Sequence, residues 1–412
     1  IMEMDNMNGL RKGSKDLIKE INRSIVINLI RKSGRISRSD VSKVTKMSLS
    51  TITYIVDELM AVDLVREVGV ATSTGGRRPV LLEFNADYGY TVGVKIEEKR
   101  VLFALTNLNA DILDLVEKKF NRFDNIQDVV SMIAVEIKEL LQSADKPKEQ
   151  LMGIGIAASG LINRQEGTIV RSSMLGWENV PLCQLLSEQL NNIPVFIDKN
   201  VNAYTMAELW YGEGKDLSNF LCISVGAGLG MSLVVDKKIY YGESGGAGEF
   251  GHTVMKIGGY QCHCGQKGCL EMYASEFFLF NRGSEIKESY PETIIEDFSF
   301  EEVSTAAEKG DALAIELMKS FGENLGYGIL NAINALNPHT ILLIGEGMKY
   351  KHLFLDAAVD IATVNFFSAA NIQTEIRPTE LGDDSWLKGA ALLAITHLFQ
   401  APIYEESKSI LN

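Results

Sequence analysis

Three of the chain's five cysteines, Cys262, Cys264 and Cys269, crowd into one short glycine-rich loop, and His252 lies just upstream of them. Three thiolates and one imidazole complete the tetrahedral shell that Zn²⁺ prefers and leave no open position for water or substrate. The set therefore reads as a structural metal site. Gly265 and Gly268 allow so short a loop to fold back around an ion. A disulfide is the weaker reading, because the N-terminus lacks the charged, apolar and small-residue succession of a secretory signal and nothing else suggests export. The other two cysteines, Cys183 and Cys222, sit in the apolar runs VPLCQLL and FLCISV and read as inert core residues.

Around this loop the chain becomes recognisable. Gly251-His252 followed by Cys262-x-Cys264-Gly-x-x-Gly-Cys269-x-Glu271 resembles the signature of the ROK family (repressor, open reading frame, kinase). That family joins bacterial sugar kinases with sugar-responsive repressors, and the resemblance covers roughly residues 88 to 400. It implies that Glu249, His252 and Glu271 line a sugar pocket, with His252 holding zinc while facing the sugar. A different role for Glu249 and Glu271 is to orient the metal histidine or cap turns.

Whether such a body reacts or only binds depends on the phosphoryl-transfer residues. ATP chemistry needs a backbone cradle for phosphates, acidic groups for Mg²⁺ and a base for the attacking hydroxyl. Kinases of this family carry Asp-x-Gly-Gly-Thr at the first meander turn; this chain has Lys95-Ile-Glu97-Glu98-Lys99. Two carboxylates in place of two glycines would block backbone approach and repel a polyphosphate. The second glycine loop, Gly226-Ala227-Gly228-Leu229-Gly230, is kept except for its threonine, and Gly345-Glu346-Gly347 resembles the nucleotide-side turn. The position of the kinases' catalytic aspartate falls on Asn200, within Asp198-Lys199-Asn200-Val201-Asn202. An amide cannot take a proton as a general base must, but it can hydrogen-bond a hydroxyl. Asn200 joins the expected sugar-binding set on that ground. Two further departures, Met174 before Leu-Gly-Trp177 and Lys199 before Asn200, replace family amides and alter what the pocket can accept.

The N-terminal segment carries a different chemistry. Leu17, Ile18, Ile21, Ile25, Val26, Leu29 and Ile30 form a helical stripe ended by Gly34. Ser37-x-x-Asp40 is a capping box that opens a short helix with Val41 and Val44 inward. A turn at Lys46–Ser48 leads to a third helix with Ile52, Ile55, Val56 and Leu59 buried, which is a helix-turn-helix arrangement. Its N-terminal end offers Ser48, Ser50, Thr51, Thr53 and Tyr54 to bases and phosphates. Two strands, 64–70 and 80–84, flank ATSTGGRRP, a wing whose Arg77 and Arg78 can reach the DNA backbone or minor groove. ROK repressors share this Gly-Gly-Arg-Arg tip, whereas the family's kinases lack the head.

Charge separates the same two parts. Residues 1 to 88 carry 14 Lys+Arg against 11 Asp+Glu, and the remainder 26 against 43. A basic head on an acidic body suits DNA binding joined to ligand sensing. From Tyr90 a strand-turn-strand-turn-strand pattern appears, and NFLCISVGAGLGMSLVVDKKIYYG repeats it later. The expectation is an α/β chain: a winged helix-turn-helix over 1–87, then a duplicated actin-like, ribonuclease-H-like two-lobe body over 88–412 with a ligand cleft. Lobe one takes about 88–197 plus a C-terminal helix near 384–400; lobe two takes about 198–383 with the zinc loop. Other helices are expected at 126–143, 201–210 and 301–335.

The reading is a cytoplasmic, non-enzymatic transcriptional repressor of carbohydrate genes, of the xylose-repressor-like and N-acetylglucosamine-repressor-like branch. Its expected partners are a palindromic operator, a small sugar effector and a second copy of itself in a dimer, without membrane insertion. A sugar kinase with an appended head, or a regulator controlled by sequestration on another protein, are the alternatives.

Overall fold

The computed structural model describes residues 14–70, 78–121 and 124–401. It falls into two compact units: Ile1–Ala158 with Pro181–Asp198 and Leu387–Asn412, and Ser159–Val180 with Lys199–Trp386. The N-terminal head groups with the first sheet, and residues 159–180 group with the second unit although they lie within the expected first lobe.

In the head, α1 (Lys15–Ser33) starts where the Ser14 hydroxyl accepts the Leu17 N–H and stops at Gly34, whose φ is +69°. Strand β1 (Arg35–Ser37) and helix α2 (Arg38–Thr45) follow. Ser37 accepts the Asp40 N–H at 3.1 Å and donates its own proton to Asp40 Oδ2 at 2.7 Å. The reciprocal bond of the expected capping box thus runs to the hydroxyl instead of the backbone, aspartate being one methylene shorter than glutamate. Val41 is fully buried, but Val44 is 62% exposed, contrary to expectation. An eight-residue helix presents one inward position here, and its last turn leads away into Lys46, which adopts a left-handed φ of 59°.

Helix α3 (Leu49–Ala61) buries Ile52, Ile55, Val56 and Leu59 as its periodicity requires. Strands β2 (Val65–Val70) and β3 (Val80–Phe84) pair antiparallel. β1 adds to the other edge of β3 with Arg35 opposite Glu83, a strand too short to show a period in sequence. Of the wing tip, Gly75, Gly76 and Arg77 lie outside the described residues, while Arg78 is exposed.

The first body sheet is built from the meander β4 (Tyr90–Ile96), β5 (Arg100–Asn107) and β6 (Ile112–Lys119). After helix α4 (Ile126–Ser143), β7 (Leu151–Ala158) joins parallel to β4. A small antiparallel sheet of β8 (Leu161–Asn163), β9 (Thr168–Ser172) and β10 (Trp177–Val180) belongs to the second unit. Helix α5 (Leu182–Gln189) and β11 (Val195–Lys199) complete the first sheet, in the order β6-β5-β4-β7-β11.

The second unit opens with α6 (Asn200–Trp210) and repeats the meander as β12 (Phe220–Val225), β13 (Leu229–Val235) and β14 (Lys238–Tyr240). After α7 (Glu276–Ile286), the expected helix over 301–335 is two helices, α8 (Phe300–Glu308) and α9 (Ala312–Leu336). Gly310, at φ +87°, breaks the run, and Asp311 caps α9 by accepting the Ala314 N–H at 2.9 Å. Strand β15 (Thr340–Ile344), helix α10 (Leu355–Thr363) and strand β16 (Glu375–Pro378) finish a sheet ordered β14-β13-β12-β15-β16. Each sheet places later strands beside the first strand of its meander, so the duplication read from sequence extends to strand order.

The last helix, α11 (Ser385–Leu398), starts in the second unit and continues in the first. Its seat on β4 and β7 is set by two glycines. A Cβ on Gly93 would lie 2.2 Å from the Leu387 carbonyl oxygen, and one on Gly155 would lie 1.7 Å from that of Ala390. Any side chain at either position would lift the helix off the sheet.

Candidate functional site

The four expected metal donors converge. His252, Cys262, Cys264 and Cys269 place their ligand atoms within 4.8 Å of one another. His252 ends a short helical turn, Phe250–His252, and Cys269 immediately precedes another, Leu270–Met272. Backbone pairing between Val254 and Cys269, and between Gln261 and Lys267, closes the loop between them. At Gly268, with φ +80°, a Cβ would lie 1.7 Å from the Lys256 carbonyl oxygen, so only glycine allows that closure. Cys264 Sγ is 3.7 Å from Cys269 Sγ, and Cys262 Sγ is 3.7 Å from His252 Nδ1. Ligands about 2.3 Å from a tetrahedral ion are separated by about 3.8 Å, so the donors fit a metal ion. The two remaining cysteines behave as read: burial pushes the Cys183 thiol up to about 12 and that of Cys222 higher still.

Beside the metal donors, three of the four expected sugar-binding residues, Glu249, His252 and Glu271, form a polar cluster. Glu271 is buried; its Oε1 accepts the Leu229 N–H at 3.2 Å and its Oε2 meets His263 Nε2 at 2.6 Å. Gly228 leaves room for that carboxylate, since a Cβ there would approach Oε1 to 3.1 Å. His263, within the Cys-x-Cys run, was not singled out from sequence, where the residue between two ligands carries no signal of its own. Its hydrogen bond to Glu271 holds the imidazolium pKa above the ordinary histidine range. His252 points Nε2 to within 3.9 Å of Glu249 Oε2. Glu249 Oε1 in turn takes a 3.1 Å ion pair from Lys199, which also donates to the Ala247 carbonyl at 2.6 Å.

Lys199 is therefore more than a lost amide. It is the N-cap residue of α6, and it ties the start of that helix to the loop bearing Glu249. The next residue, Asn200, has its side-chain oxygen buried with no hydrogen-bond partner among the described residues. A buried acceptor left unmatched in a protein needs a reason, and a bound ligand or ordered water is the usual one.

The glycine loop between β12 and β13 contains a feature that its sequence did not reveal. Glu346, the middle residue of Gly345-Glu346-Gly347, accepts the Ala227 N–H on Oε1 at 2.8 Å. A Cβ on Gly226 would fall 2.3 Å from the same oxygen. A carboxylate of the chain itself thus sits on the loop amide where a cradle would offer itself to a phosphate. At the first meander turn, Glu97 is paired with Lys95 at 2.7 Å and Arg100 at 2.5 Å. The Glu97 carboxylate is thus engaged within its own turn.

In the head, Ser48 caps α3 by accepting the Thr51 N–H at 3.1 Å, and its hydroxyl lies 2.9 Å from that of Ser50 and 2.7 Å from that of Thr51. Ser48, Ser50 and Tyr54 are exposed, Thr51 half-buried. Tyr54 is held by Lys19, which donates to its hydroxyl at 2.9 Å and to Glu58 at 2.6 Å. That partnership spans 35 residues and has no local sequence signal.

The chain as a whole is similar to known proteins. The ROK family profile matches residues 91–397, and a winged helix-turn-helix DNA-binding profile matches 20–66. The chain is 29% identical over 398 residues to the xylose repressor of Caldicellulosiruptor bescii, covering 95% of this chain and 100% of that one. The crystal structure of a ROK family transcriptional regulator, a homolog of the E. coli MLC protein, superposes with a TM-score of 0.80 at 28% identity, covering 94% of this chain and 98% of that one. A ROK family glucokinase from Streptomyces griseus, in complex with glucose and AMPPNP, shares the fold at TM-score 0.66 and 22% identity, over 75% of this chain and all of that one. With the profile covering about three-quarters of its length, this chain belongs to the ROK family, with a winged helix-turn-helix at its N-terminal end.

Proposed function

We propose that the protein is a sugar-responsive transcriptional repressor that binds operator DNA through its winged head and a sugar or sugar derivative through its body. One observation carries the reading. A head built like a DNA-binding module is joined to a ROK body whose catalytic-base position is Asn200, an amide with a buried side-chain oxygen. An amide there can hold a hydroxyl without deprotonating it. Asn200, Glu249, His252 and Glu271 are the effector-binding residues in this reading, and the relatedness to a xylose repressor makes a pentose the first class to test.

Glu346 supports binding without phosphoryl transfer, because its carboxylate already satisfies the Ala227 N–H that a phosphate would need. The His252, Cys262, Cys264 and Cys269 set would hold a structural Zn²⁺, whose chemistry is to lock the loop with no open coordination position. In the head, Ser48, Ser50, Thr51 and Tyr54 meet the major groove, while Arg77 and Arg78 reach the backbone from the wing. The functional division is a head over 1–87 and a sensing body over 88–412, working as a cytoplasmic dimer on a palindromic operator. Among the described residues no helix is long and apolar enough to cross a membrane.

The rival reading, a kinase with an added head, requires sugar-dependent ATP turnover. A fluorescence-anisotropy titration on the gene's own upstream DNA, with D-xylose and other free and phosphorylated sugars, tests the proposal. Sequence-specific binding weakened or tightened by one of them is expected; DNA binding that no sugar alters would leave the effector half without support.

A further inference from the structure

His263 occupies the one position in Cys262-His263-Cys264 that the metal does not need. Its Nε2 sits 2.6 Å from Glu271 Oε2, and Glu271 has its other oxygen on the Leu229 N–H. The buried carboxylate is thereby fixed at both ends, by β13 on one side and the metal loop on the other. The His263 ring is itself held edge-on to His252, with centroids 5.4 Å apart and planes at 79°, and tilted against Phe277 at 5.3 Å. Both chain neighbours are metal donors, so the position of the ring follows from the geometry of the loop.

We propose that His263 is a positioning residue for the effector: it aims the Glu271 carboxylate and makes sugar affinity depend on the integrity of the metal loop. The inference rests on the reading of Glu271 as an effector-binding residue. A carboxylate that accepts from a ring hydroxyl discriminates epimers only when its plane is fixed, because a rotating carboxylate can follow the hydroxyl to either position. Leu229 alone leaves rotation about the Oε1 contact, and His263 removes it. The metal loop then acts in specificity as well as in stability.

The test uses full-length metal-loaded protein with three substitutions: His263→Phe, which keeps a ring and loses the donor, His263→Gln, which keeps a donor, and Glu271→Gln. Titration calorimetry with D-xylose, its C2 epimer D-lyxose, D-glucose and N-acetylglucosamine reports affinity; metal content and melting temperature report the loop. His263→Phe is expected to hold one metal per chain and melt within a few degrees of wild type. It should bind the preferred sugar at least tenfold more weakly, with a smaller preference over the epimer. His263→Gln should recover most of the affinity. If His263→Phe binds like wild type while Glu271→Gln does not, the positioning role is overturned and the effector site stands. If wild type binds none of the sugars, or Glu271→Gln binds all of them unchanged, the effector reading falls and this inference with it. Loss of metal or of cooperative melting in both His263 variants, with sugar affinity lost in proportion, would make the residue structural and also overturn it.

Discussion

The Ser24 hydroxyl donates a 2.6 Å hydrogen bond to the Phe399 carbonyl, joining α1 to the residue just past α11. Asn28 donates to the same oxygen at 2.9 Å. Arg31, one turn further along α1, stacks over the Phe399 ring at 4.5 Å and the Phe84 ring at 5.3 Å, and donates to the Leu108 carbonyl at 3.2 Å. The Phe399 carbonyl, just past the last turn of α11, lies where a helix end leaves its acceptors without intrahelical donors, and α1 supplies two.

Removing this joint should loosen the head without unfolding the body. Each neutral hydrogen bond of this kind contributes about 1 kcal/mol. Ser24→Ala with Asn28→Ala is expected to speed hydrogen exchange in α1 and in the last turn of α11 while leaving the amides of β12 and β15 unchanged. Exchange in α1 and the last turn of α11 as slow in the double variant as in wild type would show that the joint adds nothing to the docking of the head.

Metal removal should act on the second unit. Chelation, or Cys264→Ser, is expected to release the ion and to lower the melting temperature by well over ten degrees, since ligation of a structural ion contributes several kcal/mol or more to folding. Metal analysis beside near-ultraviolet circular dichroism checks this. An unshifted melting curve after complete metal loss would remove the structural role.

The turn at Lys95–Arg100 gives a pH signature. Burial alone would raise the Glu97 pKa, but the charge and hydrogen bond of Lys95, with those of Arg100, outweigh it and hold the carboxyl below its usual value of 4.5. A carboxylate whose folded pKa is depressed stabilises the fold above the unfolded pKa and loses that contribution as pH falls through the folded one. Denaturant midpoints of wild type and Glu97→Gln should therefore differ at pH 7 and converge on acidification below about 4.5. A constant gap down to pH 3 would contradict the ion-pair account.

Much of this was legible in the chain, and what was not has physical causes. The clustering of His252 with the three cysteines, the head helices and the repeated meander are carried by local spacing, and sequence gives them directly. Val44 is exposed against its period because periodicity assigns a face without knowing how far a two-turn helix reaches over its core. The break at Gly310 is carried by a glycine stop followed by the Asp311 cap, a local signal that apolar periodicity alone does not register. Glu346 and His263 could not have been found by spacing: each acts on a residue that only the fold brings near, Ala227 and Glu271 respectively. At Lys199 the sequence shows only a missing amide, because its ion pair to Glu249 spans 50 residues.

Glu346 supplies a prediction about chemistry. Glu346→Gly should free the Ala227 N–H and increase binding of a fluorescent ADP analogue relative to wild type. Sugar-dependent ATP hydrolysis should stay at background in both proteins, because Asn200 cannot serve as the base. Turnover in either would return the kinase reading.

In the wing, Arg78→Ala is expected to weaken operator and non-operator DNA alike and to reduce the slope of log affinity against log salt by about one. An unaltered slope would take Arg78 out of the DNA interface.

The central claim is that a kinase-like body has become a sugar receptor governing a DNA-binding head. It is tested most directly by measuring operator affinity at fixed salt across a sugar panel, for wild type and Glu271→Gln in parallel. The account predicts that one sugar shifts the wild-type Kd at least tenfold and leaves that of Glu271→Gln unmoved. Operator binding indifferent to every sugar, or an equal shift in both proteins, would contradict it.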